Sequence, residues 1–146
     1  MSQLRKNLKI LSIVVLAFAG LTALNIVFEL IFGEINNAAI PEGSPDNILL
    51  ISKIFLAVLS FIILLPQVYI GIKGIKVANK PDNSRGHIVW GIILFVLSLV
   101  GLISPVIAIF KREDIFSNLS ALFSGAVDAA ILFAYVKYAR SVAEEI

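Results

Sequence analysis

The chain has 146 residues, of which 59% are hydrophobic and 15% charged, with a net charge of +2 and no cysteine. Soluble proteins are roughly 45–50% apolar and about 25% charged, and so short a chain cannot hide this apolar excess inside one core. The composition therefore excludes a water-soluble globular domain, and the missing cysteines exclude disulfides, thiolate metal sites and cysteine nucleophiles.

The first apolar run is expected to span from about 10 to 32, close to the ~20 residues that cross a bilayer core. Arg5, Lys6 and Lys9 precede it, and Ala17-Phe18-Ala19 has the small-residue character of a signal-peptide cleavage site. The apolar run nevertheless continues from Leu21 to Phe32, so a retained span is expected. Thr22, Asn25 and Glu29 share one face of it. The segment 33–47 has no basic residue and carries Glu34, Glu42 and Asp46, which reads as a solvated linker.

A second span is predicted at about 48 to 71. Its stretch Ile54-Phe55-Leu56-Ala57-Val58-Leu59 is apolar without alternation, which excludes a transmembrane barrel strand and leaves a helix. Lys53, Ser60 and Gln67 recur at sevens and so lie on one face. Pro45-Asp46-Asn47 and Pro81-Asp82-Asn83 precede spans two and three as start signals, with proline in a first turn and a carboxylate or amide to cap free amides. The third span, about 88 to 110, offers only Ser98, Gly101 and Ser104 as small or polar residues, and Pro105 is expected to bend its outer part. The fourth, about 116 to 136, carries a stripe of Ser117, Ala121, Ser124, Asp128 and Tyr135 at helical intervals.

The predicted fold is all-α: a single transmembrane domain over residues 1–146, an integral membrane four-helix bundle in antiparallel up-down order. The repeated Pro-Asp-Asn and the pair Val58-Leu59-Ser60 and Val96-Leu97-Ser98 do not argue for duplication, because apolar helices draw on few residue types. Lysine and arginine resist translocation. Arg5, Lys6, Lys9, Lys73, Lys76, Lys80, Arg85, Lys137 and Arg140 all fall on one side, whereas Lys111 and Arg112 opposite are offset by Glu113 and Asp114. Both termini are thus expected on the cytoplasmic face of a cell membrane, with Tyr69, Trp90, Tyr135 and Tyr138 in an interfacial aromatic belt.

Ionisable residues inside a span are rare and mark candidate sites. Asp128 stands near the middle of span four, where an aspartate is unfavourable by about 2.5–3.5 kcal/mol. Glu29 and Lys53 are expected at similar depth and as a pair. Together with Asn25, Gln67, Ser124 and Ser60, these residues form the expected intramembrane polar cluster, turned inward in the outer half because hydrocarbon offers no hydrogen-bond partner. Such a cluster serves either as glue between helices or as the lining of a hydrated pathway.

No catalytic, cofactor or metal site is readable: the sequence has no H-E-x-x-H, G-x-S-x-G or phosphate-cradling loop. His87, the one histidine, is read as a surface or interfacial residue. The basic stretch Lys73 to Arg85 serves topology and anionic lipid rather than nucleic acid. The expected partners are membrane lipid and a membrane-protein partner or further copies of the chain. The leading functional expectation is a non-enzymatic accessory or scaffold component acting by lateral helix contacts. The alternatives are a small oligomeric transporter or ion pathway with Asp128 as proton or cation site, and a binding protein for a lipid or small amphiphile.

Overall fold

A computed structural model of the chain describes residues 2–32, 46–82 and 84–145. Every regular element among them is an α-helix: α1 (Gln3–Phe32), α2 (Asp46–Asn79), α3 (Gly86–Gly101), α4 (Ile103–Phe110) and α5 (Ile115–Glu144). Because α3 and α4 follow one another as a single rod, four stretches are long and apolar enough to cross a membrane: Gln3–Phe32, Leu50–Asn79, Gly86–Phe110 and Ile115–Glu144. The linker expected over 33–47 lies largely outside the described residues, as do the capping side chains of Asp46, Asn47 and Asn83.

The helices outrun the apolar segments at the end that carries the termini. α1 starts at Gln3, α2 continues to Asn79 and α5 to Glu144, seven or eight residues beyond the runs that hydropathy delimits. Hydropathy marks where a helix is greasy, and helix propensity together with packing decides where it stops. Cross-helix bonds give the directions. Arg5 Nε and Nη2 donate to the carbonyls of Ala78 and Asn79 at 2.7 and 2.6 Å, while Gln67 Nε2 donates to the Val15 carbonyl at 3.3 Å, so α1 and α2 are antiparallel. Ser2 Oγ reaches Glu145 at 3.2 Å, and Ser98 pairs with Asp128, which sets α5 antiparallel to both α1 and α3.

The third rod is interrupted at Leu102, whose amide turns back to Leu99 O at 3.1 Å. Pro105 explains the position: it lacks the amide that would bond the Gly101 carbonyl, and its ring crowds that turn. α2 instead runs unbroken through Pro66. The connection from α4 to α5 is short because Arg112 and Asp114 adopt positive φ, 57° and 30°. Asn118 Nδ2 donates to the carbonyls of Glu113 and Asp114 at 2.8 and 3.0 Å, which satisfies groups left open by that turn. Asp82 does not cap α3, whose N-cap Arg85 makes no side-chain cap bond. It accepts from the Ser84 amide at 2.8 Å and pairs with Lys73 at 3.2 Å, an Asx-type turn rather than a helix cap.

Packing is uneven along the bundle. Leu8, Val15, Ile70, Val77, Tyr135 and Val142 are buried, all towards the end that carries the termini. On α1 no residue beyond Ala19 is buried, and α4 buries none. At the opposite end Phe110 and Phe116 are 83% and 85% exposed. An apolar surface of this extent suits a lipid environment or a partner, not water.

Candidate functional site

Two features stand out, one closed and one open. The closed feature is a crossing of all four rods near the termini. Ser12 on α1 is buried and donates to its own Leu8 carbonyl at 2.7 Å, so its hydroxyl asks nothing of the neighbouring helices. α2 presents Gly71 and Gly74 to it; a methyl group on Gly74 would meet Ser12 Oγ and lie 2.8 Å from a Tyr135 ring carbon. Tyr135 on α5 is fully buried, and its hydroxyl donates to the Ile70 carbonyl on α2 at 2.6 Å. Gly91 of α3 lies against the other side of the same ring. Small residues at the contact and one bond from a side chain to a neighbouring backbone are how helices associate where lipid supplies no hydrophobic drive.

This crossing corrects two sequence expectations. Tyr135 is not part of an interfacial belt, although Tyr69 and Trp90 are exposed at that level. His87 is not a surface histidine: it is 0% exposed, packs edge-on to the Tyr135 ring at 6.2 Å, and has no hydrogen-bond partner on either ring nitrogen. The helix starts at Gly86, so the residue beside the basic loop already belongs to a packed face. The signal available in the sequence was the spacing of Gly71, Gly74 and Gly91 opposite Ser12 and Tyr135.

The open feature surrounds Asp128. Its place in the 30-residue α5, thirteen residues from the start, puts it roughly 20 Å along the helix, near the middle. Ser98 Oγ on α3 donates to Asp128 Oδ2 at 2.9 Å. On its other side is a cleft of about 350 Å³ whose lining includes Phe18 and Thr22 of α1, Gln67 of α2, and Phe123, Ser124 and Asp128 of α5. Phe123 is 73% exposed and Phe18, Thr22 and Ser124 are exposed as well, whereas Gln67 and Asp128 are half-buried, so the rings and the two hydroxyl side chains form the rim and Gln67 and Asp128 the floor. Gln67 spends its amide N–H on Val15 O, which orients the amide and leaves its oxygen as an acceptor. Among the described residues, Asp128 Oδ1, Gln67 Oε1 and the hydroxyls of Thr22 and Ser124 have no hydrogen-bond partner.

Of the expected polar cluster, the structure brings Asp128, Gln67 and Ser124 to one place, joined by Thr22 and Ser98. The other four stand apart. Asn25 and Glu29 continue the α1 stripe beyond the packed zone; both are exposed, and Asn25 Nδ2 donates to Glu29 Oε1 at 3.4 Å. The expected Glu29–Lys53 pair is not made. Lys53 is half-buried and has no ion-pair or hydrogen-bond partner among the described residues. Ser60 returns its hydroxyl to Leu56 O at 2.8 Å. The physical reason lies in which face each helix turns inward: past Ala19 the half-buried residues of α1 are Ala23, Ile26 and Leu30, so the face with Asn25 and Glu29 points away from the neighbouring helices, whereas Lys53 and Ser60 lie on a half-buried face of α2. Among the described residues, no group of three or more metal-ligating side chains is gathered. No family model, no curated protein and no solved structure matches the chain.

Proposed function

We propose that this chain is a non-enzymatic integral membrane protein of four spans that holds a small amphiphile in the cleft beside Asp128. The carrying observation is that cleft: polar groups from α1, α2 and α5 line about 350 Å³ flanked by two phenylalanine rings, with Gln67 and Asp128 half-buried at its floor. Ligand sites are concave, mostly apolar and furnished with a few convergent polar groups, with volumes from about 300 Å³ upward. A site between helices that opens sideways is reached from the bilayer, where an amphiphile is already concentrated. Both termini lie on the cytoplasmic side in this reading, because Arg5, Lys73, Lys80, Arg85 and Arg140 belong to the helix ends nearest the termini.

Native mass spectrometry of the protein released from its own membrane tests the proposal. A co-purified amphiphile is expected on the unaltered chain and is lost in Ser124→Trp, whose indole fills the cleft. Protein that is consistently empty counts against it.

A second reading, an accessory component acting by lateral helix contacts, is favoured by the third rod. Its only buried residues are His87, Ile88 and Gly91, all in its first turns, so most of Gly86–Phe110 is available to a neighbour in the membrane. Affinity capture from native membranes in mild detergent addresses this; recovery of the chain with itself alone and no other membrane protein argues against it.

A further inference from the structure

The Asp128 cleft is unbalanced in a way that selects a head group. Asp128 Oδ1 and Gln67 Oε1 are acceptors without donors, and Ser124 and Thr22 add two hydroxyls that can accept. One N–H of Gln67 Nε2 is committed to Val15 O and Ser98 Oγ to Asp128 Oδ2, so the donors left to a ligand are neutral: the second Gln67 N–H and the Thr22 and Ser124 hydroxyls. No lysine, arginine or histidine lines the cleft. An anionic head group would face the Asp128 carboxylate with no cationic side chain to offset it, and an alcohol would supply only one donor. A primary ammonium brings three donors and a positive charge to a carboxylate in a site of low dielectric, where a charge-assisted hydrogen bond is strongest. The exposed rings of Phe18 and Phe123 at the rim suit the alkyl part of such a molecule.

Resting on the reading of the cleft as an amphiphile site, we propose that its occupant is a hydrophobic primary amine, its ammonium group bonded to Asp128 Oδ1 and Gln67 Oε1. The alkyl chain leaves between the two phenylalanines towards the lipid.

The test is a head-group series on one tail. Retention of decylamine, decyltrimethylammonium, decanol and decyl sulfate is measured by native mass spectrometry on the full chain in lipid nanodiscs, against empty nanodiscs that report simple partitioning. Decylamine is expected to bind most tightly, and decyltrimethylammonium, which has the charge but no N–H, roughly tenfold more weakly. In Asp128→Asn the preference for decylamine over decanol is expected to vanish. The head-group series on the unaltered chain stands by itself if that variant does not fold. Decanol or decyl sulfate bound as tightly as decylamine, or a preference that survives Asp128→Asn, overturns the assignment while leaving an amphiphile site in place. Retention of no decyl compound above the empty nanodiscs overturns both the assignment and the reading beneath it.

Discussion

The hydroxyl of Tyr135 donates to the backbone carbonyl of Ile70 at 2.6 Å and so fastens α5 to α2 at the level where Gly74 lets Ser12 and the Tyr135 ring meet. The four rods are tied there and open elsewhere, which leaves room for the cleft at mid-height. Tyr135→Phe removes only the bond; Ile70 O keeps its place in the helix. A loss of about 0.6 kcal/mol is expected, since bonds between membrane helices average that value. Tyr135→Ala also removes the ring and should cost about 3–5 kcal/mol. Reversible unfolding in mixed micelles separates the two.

Gly74→Ala inserts a methyl group against Ser12 Oγ and within 2.8 and 2.9 Å of the Tyr135 ring and hydroxyl. Neither neighbour is the free end of a flexible chain, so α2 must move away. Overpacking of this kind costs about 1–3 kcal/mol. At Gly20 a new Cβ meets nothing within 4 Å, and Gly20→Ala should leave the midpoint unchanged or raise it. Thermal unfolding of both variants in the same detergent provides the comparison.

Much of the architecture is legible from residue order alone, because a helix that meets lipid must be apolar along a continuous run and its charged flanks show which ends lie together. The four rods and the gathering of Arg5, Lys73, Arg85 and Arg140 near one end follow from that. Side-chain partnerships are less legible. Periodicity gives the face of a residue but not whether another helix stands opposite, which is why Glu29 and Lys53 match on paper and have no mutual contact. His87 shows the converse: its neighbours Arg85 and Gly86 suggest a loop, and only the packing of Gly91 against Tyr135 reveals that the helix is already inside the bundle. The phenylalanine rim of the cleft is invisible in the sequence, because Phe18 and Phe123 differ in no way from the other phenylalanines of an apolar span.

Arg5 bridges α1 to the end of α2 through the carbonyls of Ala78 and Asn79, two of the groups that a helix C-terminus leaves unsatisfied. Its planar fork serves both, which a lysine ammonium does less well. Arg5→Gln is expected to fray the last turn of α2 at a cost of about 1 kcal/mol. Hydrogen exchange should show faster exchange over residues 76–82 with little change around Ile70.

The Ser84 amide, and next to it the Lys73 ammonium, hold the Asp82 carboxyl below its ordinary range. A lowered pKa in the folded chain means that this contribution is fully present above the ordinary carboxylate value of about 3.9 and is lost as the pH falls through the folded value. NMR titration of the Asp82 carboxyl should therefore give a midpoint below that of a free aspartate. Lys73→Gln should raise the midpoint without restoring the ordinary value, because the Ser84 bond remains.

The cleft between α1 and α5 is tested most directly by joining its two walls. The chain has no cysteine of its own, so Thr22→Cys combined with Ser124→Cys gives a single thiol pair across the opening, and Thr22→Cys combined with Leu97→Cys gives a control with one partner on α3. In native membranes a short bifunctional thiol reagent is expected to join the first pair within one chain, detected as the mass of one cross-linker and no free thiol, and to leave the second unjoined. Equal joining of both pairs, or joining of the control alone, would contradict the placement of Asp128 in a shared cleft.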